Sequence, residues 1–416
     1  VSSIDMSAPA PFVGLAPFLR MSINGEDLRP IAQEQLPRAE ACPEDANLWM
    51  NLATLMLCLG HHELGLGIQA HALTRQRTFH LAAAHQPARL RALLLMAPGD
   101  LATNMPLDCL LEDCDIDLLM YYVSEEGDPL ATALPEHNLV MVAMSESDEN
   151  RPLLTALEPL LADWPKPVIN RPQGVANTDR ERASQLLQGV EGLLIPPTFP
   201  TSRTELQRVI SGEKTLADIC HDIDFPVIVR PLGSHGGHGL ERVADTDELA
   251  DYLTRLSGED FFVSAFIDYS DGDGLFRKYR VVLVDGEPFA SHMGISSHWM
   301  IHYLNAGMYE DAAKRAEEGA WMERFDAFAL RHRHALNAIA ERSGLDYLCI
   351  DCAETRDGEL LVFEIGHAMA VHAMDSIELF PHKQVHMAKV KSALRSYLLR
   401  RAEGGAQAQK TGGVEV

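Results

Sequence analysis

Long apolar runs are missing from this chain of 416 residues. No stretch reaches the roughly 18 uninterrupted apolar residues of a membrane-spanning helix, and the amino end lacks the basic-then-apolar pattern of a secretory leader. A cytoplasmic location is therefore expected. Cations are scarce: 35 Lys and Arg stand against 60 Asp and Glu, a formal net charge of −25 with His neutral. Such a field repels nucleic acid and anionic membrane, so an anionic ligand must be captured where the charge is locally inverted. Aromatic residues make up only 6%, but 46% hydrophobic and 23% charged is ordinary globular composition and excludes collagen-like and wholly disordered classes. The 7 cysteines are odd in number and irregularly spaced, which reads as reduced thiols rather than a disulfide framework. Cys349 and Cys352 form a CxxC, yet they sit in an alternating apolar run, so buried strand thiols are expected in place of a metal or redox pair.

The length suits two or three domains. Residues 1–85 read as helical after a Pro-rich start. The pattern Trp49, Leu52, Ala53, Met56, Gly60 followed by Gly65, Ala72 and Leu73 has the large/small spacing of one tetratricopeptide-like helix pair. It occurs once, so a packed helical hairpin is expected rather than a peptide-binding array. From about residue 88 the texture changes to short continuous apolar runs (91–99, 116–123, 137–144, 166–170) alternating with helical stretches (151–162, 179–187). That predicts an α/β domain with a parallel sheet over 86–200. Beyond a boundary near Thr201 come a helix, a strand at 226–231, a Gly-rich loop, a helix at 246–256 and a strand at 261–266. A hairpin at 280–295, a helical region at 310–342, strands at 347–354 and 360–364, and a last helix at 376–401 complete the order. The tail 401–416 has almost nothing to bury and is expected to be disordered.

Three constellations carry chemistry. In the first, the strand ending at Arg230 leads to Gly233, Ser234, His235, Gly236, Gly237, His238 and Gly239. Four glycines in seven positions let backbone N–H groups converge on one anion, and a guanidinium just before them can grip phosphate oxygens. No Gly-Lys-Ser/Thr follows and no helix opens after it, so it is neither a Walker loop nor a dinucleotide fingerprint. A flexible hairpin is the alternative reading. In the second, Asp351 and Glu364 stand on consecutive strands joined by a turn, so a hairpin would bring two hard carboxylates together, as Mg²⁺ requires. Solvated strand ends are the alternative. In the third, Arg277, Lys278 and Arg280 lead into a strand, and alternation puts Lys278 and Arg280 on one face. Two cations aimed inward imply an anion.

In this order and spacing, the three resemble the ATP-grasp superfamily, of the glutathione synthetase and D-Ala-D-Ala ligase kind, over residues 201–400. Residues 86–200, with Asn170 to Pro172 and the run 192–197, resemble the domain that precedes it in such ligases. The resemblance implies an α/β chain, α+β in its ATP-grasp part, with two ATP-grasp subdomains. It implies ATP, with Mg²⁺ or Mn²⁺, as cofactor. Arg230 and the loop 233–239 would hold the triphosphate, Ala265, Phe266 and Ile267 would line adenine, and Asp268 would accept from the ribose. Lys278 and Arg280 would face the transferred phosphoryl group, and Asp351 and Glu364 would hold the metal. Where the family reads Glu-x-Asn this chain has Gly366, so a third ligand is missing.

The implied reaction is carboxylate–amine ligation through an acylphosphate, releasing ADP, on small-molecule acid and amine substrates. The implied assembly is a homodimer that binds neither nucleic acid nor membrane. Candidate acceptor contacts are His298, Trp299, His302 and Asn305, just past the hairpin, and His367, after Glu364; a packed connector and a helix cap are the alternatives. Gly366 and the lone helix pair also motivate a second class, a nucleotide-binding module that docks a partner with little or no turnover. A third is a kinase on the same fold, in which the acceptor keeps the phosphate.

Overall fold

A computed structural model describes residues 9–130, 132–221, 223–233 and 237–411. Four helices, Ala16–Ile23, Arg29–Ala41, Ala46–Cys58 and His62–Leu73, open the chain. Asp45 starts the third by accepting from the N–H groups of Asn47 and Leu48. The third and fourth make the expected hairpin; Gly65 lies so close to Leu57 that a Cβ there would fall 2.7 Å from its side chain.

Five strands follow: β1 (Thr78–Leu81), β2 (Leu90–Met96), β3 (Ile116–Tyr122), β4 (Leu139–Val142) and β5 (Val168–Ile169). Their order is β1-β3-β2-β4-β5, parallel except for the antiparallel edge strand β1. β3 and β4 are buried at every position, which is why they read as continuous apolar runs. The α/β class is as expected.

Two further sheets follow. β7 (Thr198–Ser202), β8 (Val227–Pro231), β9 (Glu241–Val243) and β10 (Asp260–Ala265) form an antiparallel sheet in the order β7-β10-β8-β9. β11 (Phe276–Val284), β12 (Glu287–Ser296), β13 (Tyr347–Glu354) and β14 (Leu360–Gly366) form another, with the two-residue β6 (Leu193–Leu194) parallel to β14 at its edge. The sheet of β7–β10 has its own core, built on Leu206, Val229, Tyr252, Phe261 and Val263. The first and last sheets instead share one core, running from Leu93 and Val140 to Val282, Ile350 and Leu394. The boundary expected near Thr201 therefore falls inside β7, and the chain crosses from one sheet to the other over residues 195–197. Cys349 and Cys352 are buried, unbridged thiols on β13.

The helical region expected over 310–342 is present as three helices, Ala312–Glu323, Phe325–Arg331 and Arg333–Ser343. One expectation is corrected. The last helix, Pro381–Thr411, continues through residue 411, into the segment 401–416 expected to be disordered. Tertiary contacts hold it where composition alone would not: Arg401 pairs with Asp346 at 2.9 Å, and Gly405 lies against the ring of Pro167.

Candidate active site

Four strands each contribute one side chain to a row across the last sheet. His292 on β12 is the register partner of Arg280 on β11, Arg280 that of Asp351 on β13, and Asp351 that of Glu364 on β14. Both register irregularities of this sheet adjoin the row, after Arg280 and after Asp351. Such bulges re-aim side chains beside functional sites. All four residues line one cavity of about 560 Å³ between the last two sheets.

Arg280 grips Asp351 with two hydrogen bonds, Nε to Oδ1 at 2.7 Å and Nη2 to Oδ2 at 3.0 Å, and its Nη1 donates to the Ala370 carbonyl at 3.0 Å. Lys278 reaches the same carboxylate at 2.7 Å. Arg277, on the other side of β11, is held by Asp271, Asp273 and Glu317, so the alternation expected along this strand is realised. Arg180, from the helix Arg180–Leu187 of the preceding domain, pairs with Glu364 at 2.9 Å. The sequence reading missed it, because nothing local to residue 180 marks it as a partner of Glu364, which stands far along the chain.

Burial alone would raise the Asp351 carboxyl, but Arg280 and Lys278 hold it well below the usual carboxylate range. Glu364 is likewise pulled down against burial, by Arg180 first. Burial, and then the neighbouring Arg180, pulls Arg230 down to about 10, so it remains cationic at neutral pH. Burial, with Arg280 and Lys383 nearby, lowers His292 well below its ordinary value and keeps it neutral. Four cations (Arg180, Arg230, Lys278, Arg280) thus face two ionised carboxylates, a local charge of +2 in a chain of −25.

Of the expected nucleotide contacts, Arg230, Gly237, Ala265, Phe266 and Ile267 line the cavity. The Phe266 N–H donates to the Pro226 carbonyl at 3.1 Å, and its ring meets Trp299 edge-on at 5.6 Å. Gly239, at φ +65°, sits behind the wall: its carbonyl accepts from the Tyr252 hydroxyl at 2.8 Å, and a Cβ there would fall 2.7 Å from the Pro231 ring. Gly233, also at positive φ, has no other described residue within 4 Å of where a Cβ would stand and is not part of the wall. Ser234, His235 and Gly236 lie outside the described residues.

Asp268 is not brought to the cavity. It is exposed, and its carboxylate accepts from the Ser270 N–H at 2.9 Å, closing its own turn. Trp299, His302 and Asn305 line the cavity, whereas His298 is exposed and accepts from the Met300 N–H at 3.2 Å. His367 is packed in the interior and is not in the lining. It is 1% exposed and hydrogen-bonded to the Met144 backbone, and burial pushes its imidazole down to about 4. Besides Arg180, the cavity includes Tyr309, His372, Asp375 and Lys383 from after the hairpin and after β14, and Leu19 and Ile23 from the first helix.

Asp351 and Glu364 fit a divalent ion that arrives on phosphate. Mg²⁺ commonly takes one or two carboxylates and fills its remaining positions with phosphate oxygens and water. The two carboxylates here are adjacent in register and both ionised. No group of three or more His, Cys, Asp or Glu suited to a metal occurs among the described residues, so these side chains form no all-protein cage. Among the described residues a Cβ at Gly366 would meet only the Met369 side chain, at 3.5 Å or more.

No protein-family model and no curated protein matches the chain. Solved structures do align with it. An ATP-grasp RimK domain protein from Sphaerobacter thermophilus is 18% identical, covering 74% of this chain and 99% of that one at a TM-score of 0.42. The VanG D-Ala:D-Ser ligase of Enterococcus faecalis is 13% identical over 74% and 98%, with a TM-score of 0.45. The D-alanine–D-alanine ligase of Bacillus anthracis, complexed with ATP, is 15% identical over 76% and 99%, with a TM-score of 0.46. At these scores the likenesses carry no argument about chemistry, which rests on the side chains above. The architecture sets a four-stranded antiparallel sheet and a second, mostly antiparallel sheet about one cavity, behind a mostly parallel sheet. Among the described residues no helix is long and apolar enough to cross a membrane.

Proposed function

We propose that this chain is an ATP-dependent ligase that joins a small-molecule carboxylate to an amine through an acylphosphate. One observation carries the reading: four cations converge on two ionised carboxylates in one cavity of a protein whose overall charge repels anions. A carboxylate does not react with an amine at neutral pH until one of its oxygens becomes a leaving group. In the first step a carboxylate oxygen bonds to the γ-phosphorus as the bond from that phosphorus to ADP breaks. In the second the amine nitrogen bonds to the acyl carbon as the carbon–oxygen bond to phosphate breaks. Inorganic phosphate leaves with the electron pair, and the nitrogen gives up its extra protons to phosphate and solvent.

Arg230 and Lys278 would hold the phosphate chain, and Arg280 would stabilise the charge on the phosphoryl group in flight. The phosphates would compete with Asp351 for its two cations and so free its carboxylate. A bound Mg²⁺, held by Asp351 and Glu364, would neutralise phosphate oxygens. The sheet of β7–β10 would cover the nucleotide and keep water from the acylphosphate.

The test is to incubate the protein with Mg-ATP and pools of small acids in hydroxylamine, which converts an acylphosphate to a hydroxamate. Acid-dependent hydroxamate with stoichiometric ADP is the expected result. ATP binding with no hydroxamate from any acid would sink the reading and favour the non-turnover binding module to which Gly366 points. A stable phosphorylated acceptor would mean a kinase.

A further inference from the structure

Part of the same cavity is lined by apolar side chains. Leu19 and Ile23, one turn apart on the helix Ala16–Ile23, both line it and pack against Ala16, Cys109 and Met374. Leu304 lines it too and is 72% exposed, the most exposed large apolar side chain among the described residues. This lining is joined to the charged row through the chain itself. Arg280 donates to the Ala370 carbonyl, and four residues later Met374 meets the amino-terminal helix, a span of at most about 14 Å.

The charged groups around this lining are taken up by one another. Asp375 accepts from the Tyr309 hydroxyl on one oxygen and pairs with Lys383, at 3.1 Å, on the other. Glu318 is fully buried outside the lining, where it accepts from the Met293 N–H at 3.0 Å and pairs with His382 at 3.0 Å. Arg315 donates to the carbonyls of Met308 and Tyr309, at 2.9 and 2.7 Å, and Arg20 pairs with Glu112. The His372 Nδ1 accepts from the Met374 N–H at 3.3 Å. Lys383 and Arg315 balance Asp375 and Glu318, so no net charge is left here for a ligand to match.

Apolar surface left open in a ligand cavity is stabilised when an apolar group of the ligand covers it. We propose that the carboxylic acid activated by this protein carries an uncharged apolar tail, with its carboxylate by Arg280 and the tail against Leu19, Ile23 and Leu304. The occupant is the acid because its own oxygen takes the phosphoryl group beside Arg280, where the segment leading to Met374 begins. The amino-terminal helix thereby acquires a role, as the wall that selects the acid. This inference rests on the ligase reading and deepens it: the charged row makes the acylphosphate, and the apolar lining sets which acid enters.

With hydroxylamine as the only nucleophile, hydroxamate formation reads the acid alone. The pools of small acids are extended with size-matched sets whose tails are apolar, neutral polar or charged: leucine, glutamine and glutamate, and the same tails without the α-amino group, 4-methylpentanoate, 4-carbamoylbutanoate and glutarate. In each set that is turned over we expect the apolar member to have a kcat/KM at least tenfold above the other two, since each buried methylene contributes about fourfold. Leu304→Ser should lower kcat/KM for leucine or 4-methylpentanoate at least fivefold relative to alanine or propanoate, which lack the tail. Leu19→Trp, which narrows the lining, should shift preference at least fivefold in the same direction. Leu304 is exposed, so its variant carries the test if Leu19→Trp does not fold.

Hydroxamate formed equally well, or only, from acids with polar or charged tails would overturn the apolar subsite while leaving the ligase reading standing. So would an apolar preference that the substitutions leave unchanged. Absence of hydroxamate with every acid would remove the ligase reading itself, and the subsite with it.

Discussion

Arg280 and Asp351 face each other across two antiparallel strands and are joined by two hydrogen bonds, with Lys278 on the same carboxylate. Arg280→Lys keeps the charge and loses the planar two-point grip. We expect kcat to fall about a hundredfold or more. Arg280→Met leaves a buried carboxylate with Lys278 alone and should destabilise the fold by about 3–5 kcal/mol. Steady-state ADP release and urea unfolding separate the two effects.

Gly239 and Gly233 both have positive φ, but among the described residues only Gly239 has a neighbour in the way. Alanine at either position costs about 1–2 kcal/mol for the left-handed backbone. At Gly239 the Cβ also meets Pro231 at 2.7 Å and so pushes on the residue after Arg230. Titration with ATP should therefore show Gly239→Ala weakened by about tenfold more than Gly233→Ala, a difference of about 1.4 kcal/mol. Equal losses in the two would mean that the loop acts through backbone conformation alone.

Gly366→Asn restores an oxygen ligand beside Glu364 where the side chain has room. The Mg²⁺ concentration needed for half-maximal turnover should drop by about five- to tenfold, and removing the metal with EDTA should abolish turnover in both chains. An unchanged Mg²⁺ requirement would place the metal elsewhere.

His367 makes stability depend on pH. Its folded value of about 4 lies below the ordinary 6.5, so above pH 6.5 it is neutral in both states and costs nothing. As pH falls, the unfolded chain takes up a proton that the folded chain refuses until about pH 4. Stability is therefore lost across that window, by roughly 3 kcal/mol in all. In urea unfolding, His367→Gln should lose less stability than the parent between pH 7 and pH 4, by about that amount.

Asp108 is buried and accepts from the N–H groups of Leu15 at 2.6 Å and Ala16 at 2.9 Å, fixing the start of the helix that carries Leu19 and Ile23. Asp108→Ala should cost about 1–2 kcal/mol. Amide exchange in Ala16–Ile23 should quicken before that of the β-sheets; uniform quickening across the chain would mean that Asp108 supports the whole fold rather than this helix.

What was legible in the sequence was what strands write locally. Alternation put Lys278 and Arg280 on one face and Arg277 on the other, and a short turn predicted that Asp351 and Glu364 would be neighbours. Arg180 and the Asp375–Lys383 pair were not legible as partners of that site, because their meeting depends on how separate elements pack and no motif spans the gap. Asp268 lies outside the cavity lining: an aspartate after a strand can serve a ligand or close its own turn, and here it accepts from the Ser270 N–H. The end of the last helix was not legible because the tail has almost nothing of its own to bury, while Pro167 and Asp346 support the helix from regions distant in sequence.

The row of His292, Arg280, Asp351 and Glu364 makes the site a readout of alignment. Side chains alternate along a strand, so one inserted or deleted residue within β11 or β13 would send a charge to the opposite face of the sheet, among apolar side chains. Variation in chain length among descendants of this sequence should therefore collect in connections such as residues 268–275 and 355–359. The strands that carry the row would keep their length even where their apolar residues are freely exchanged.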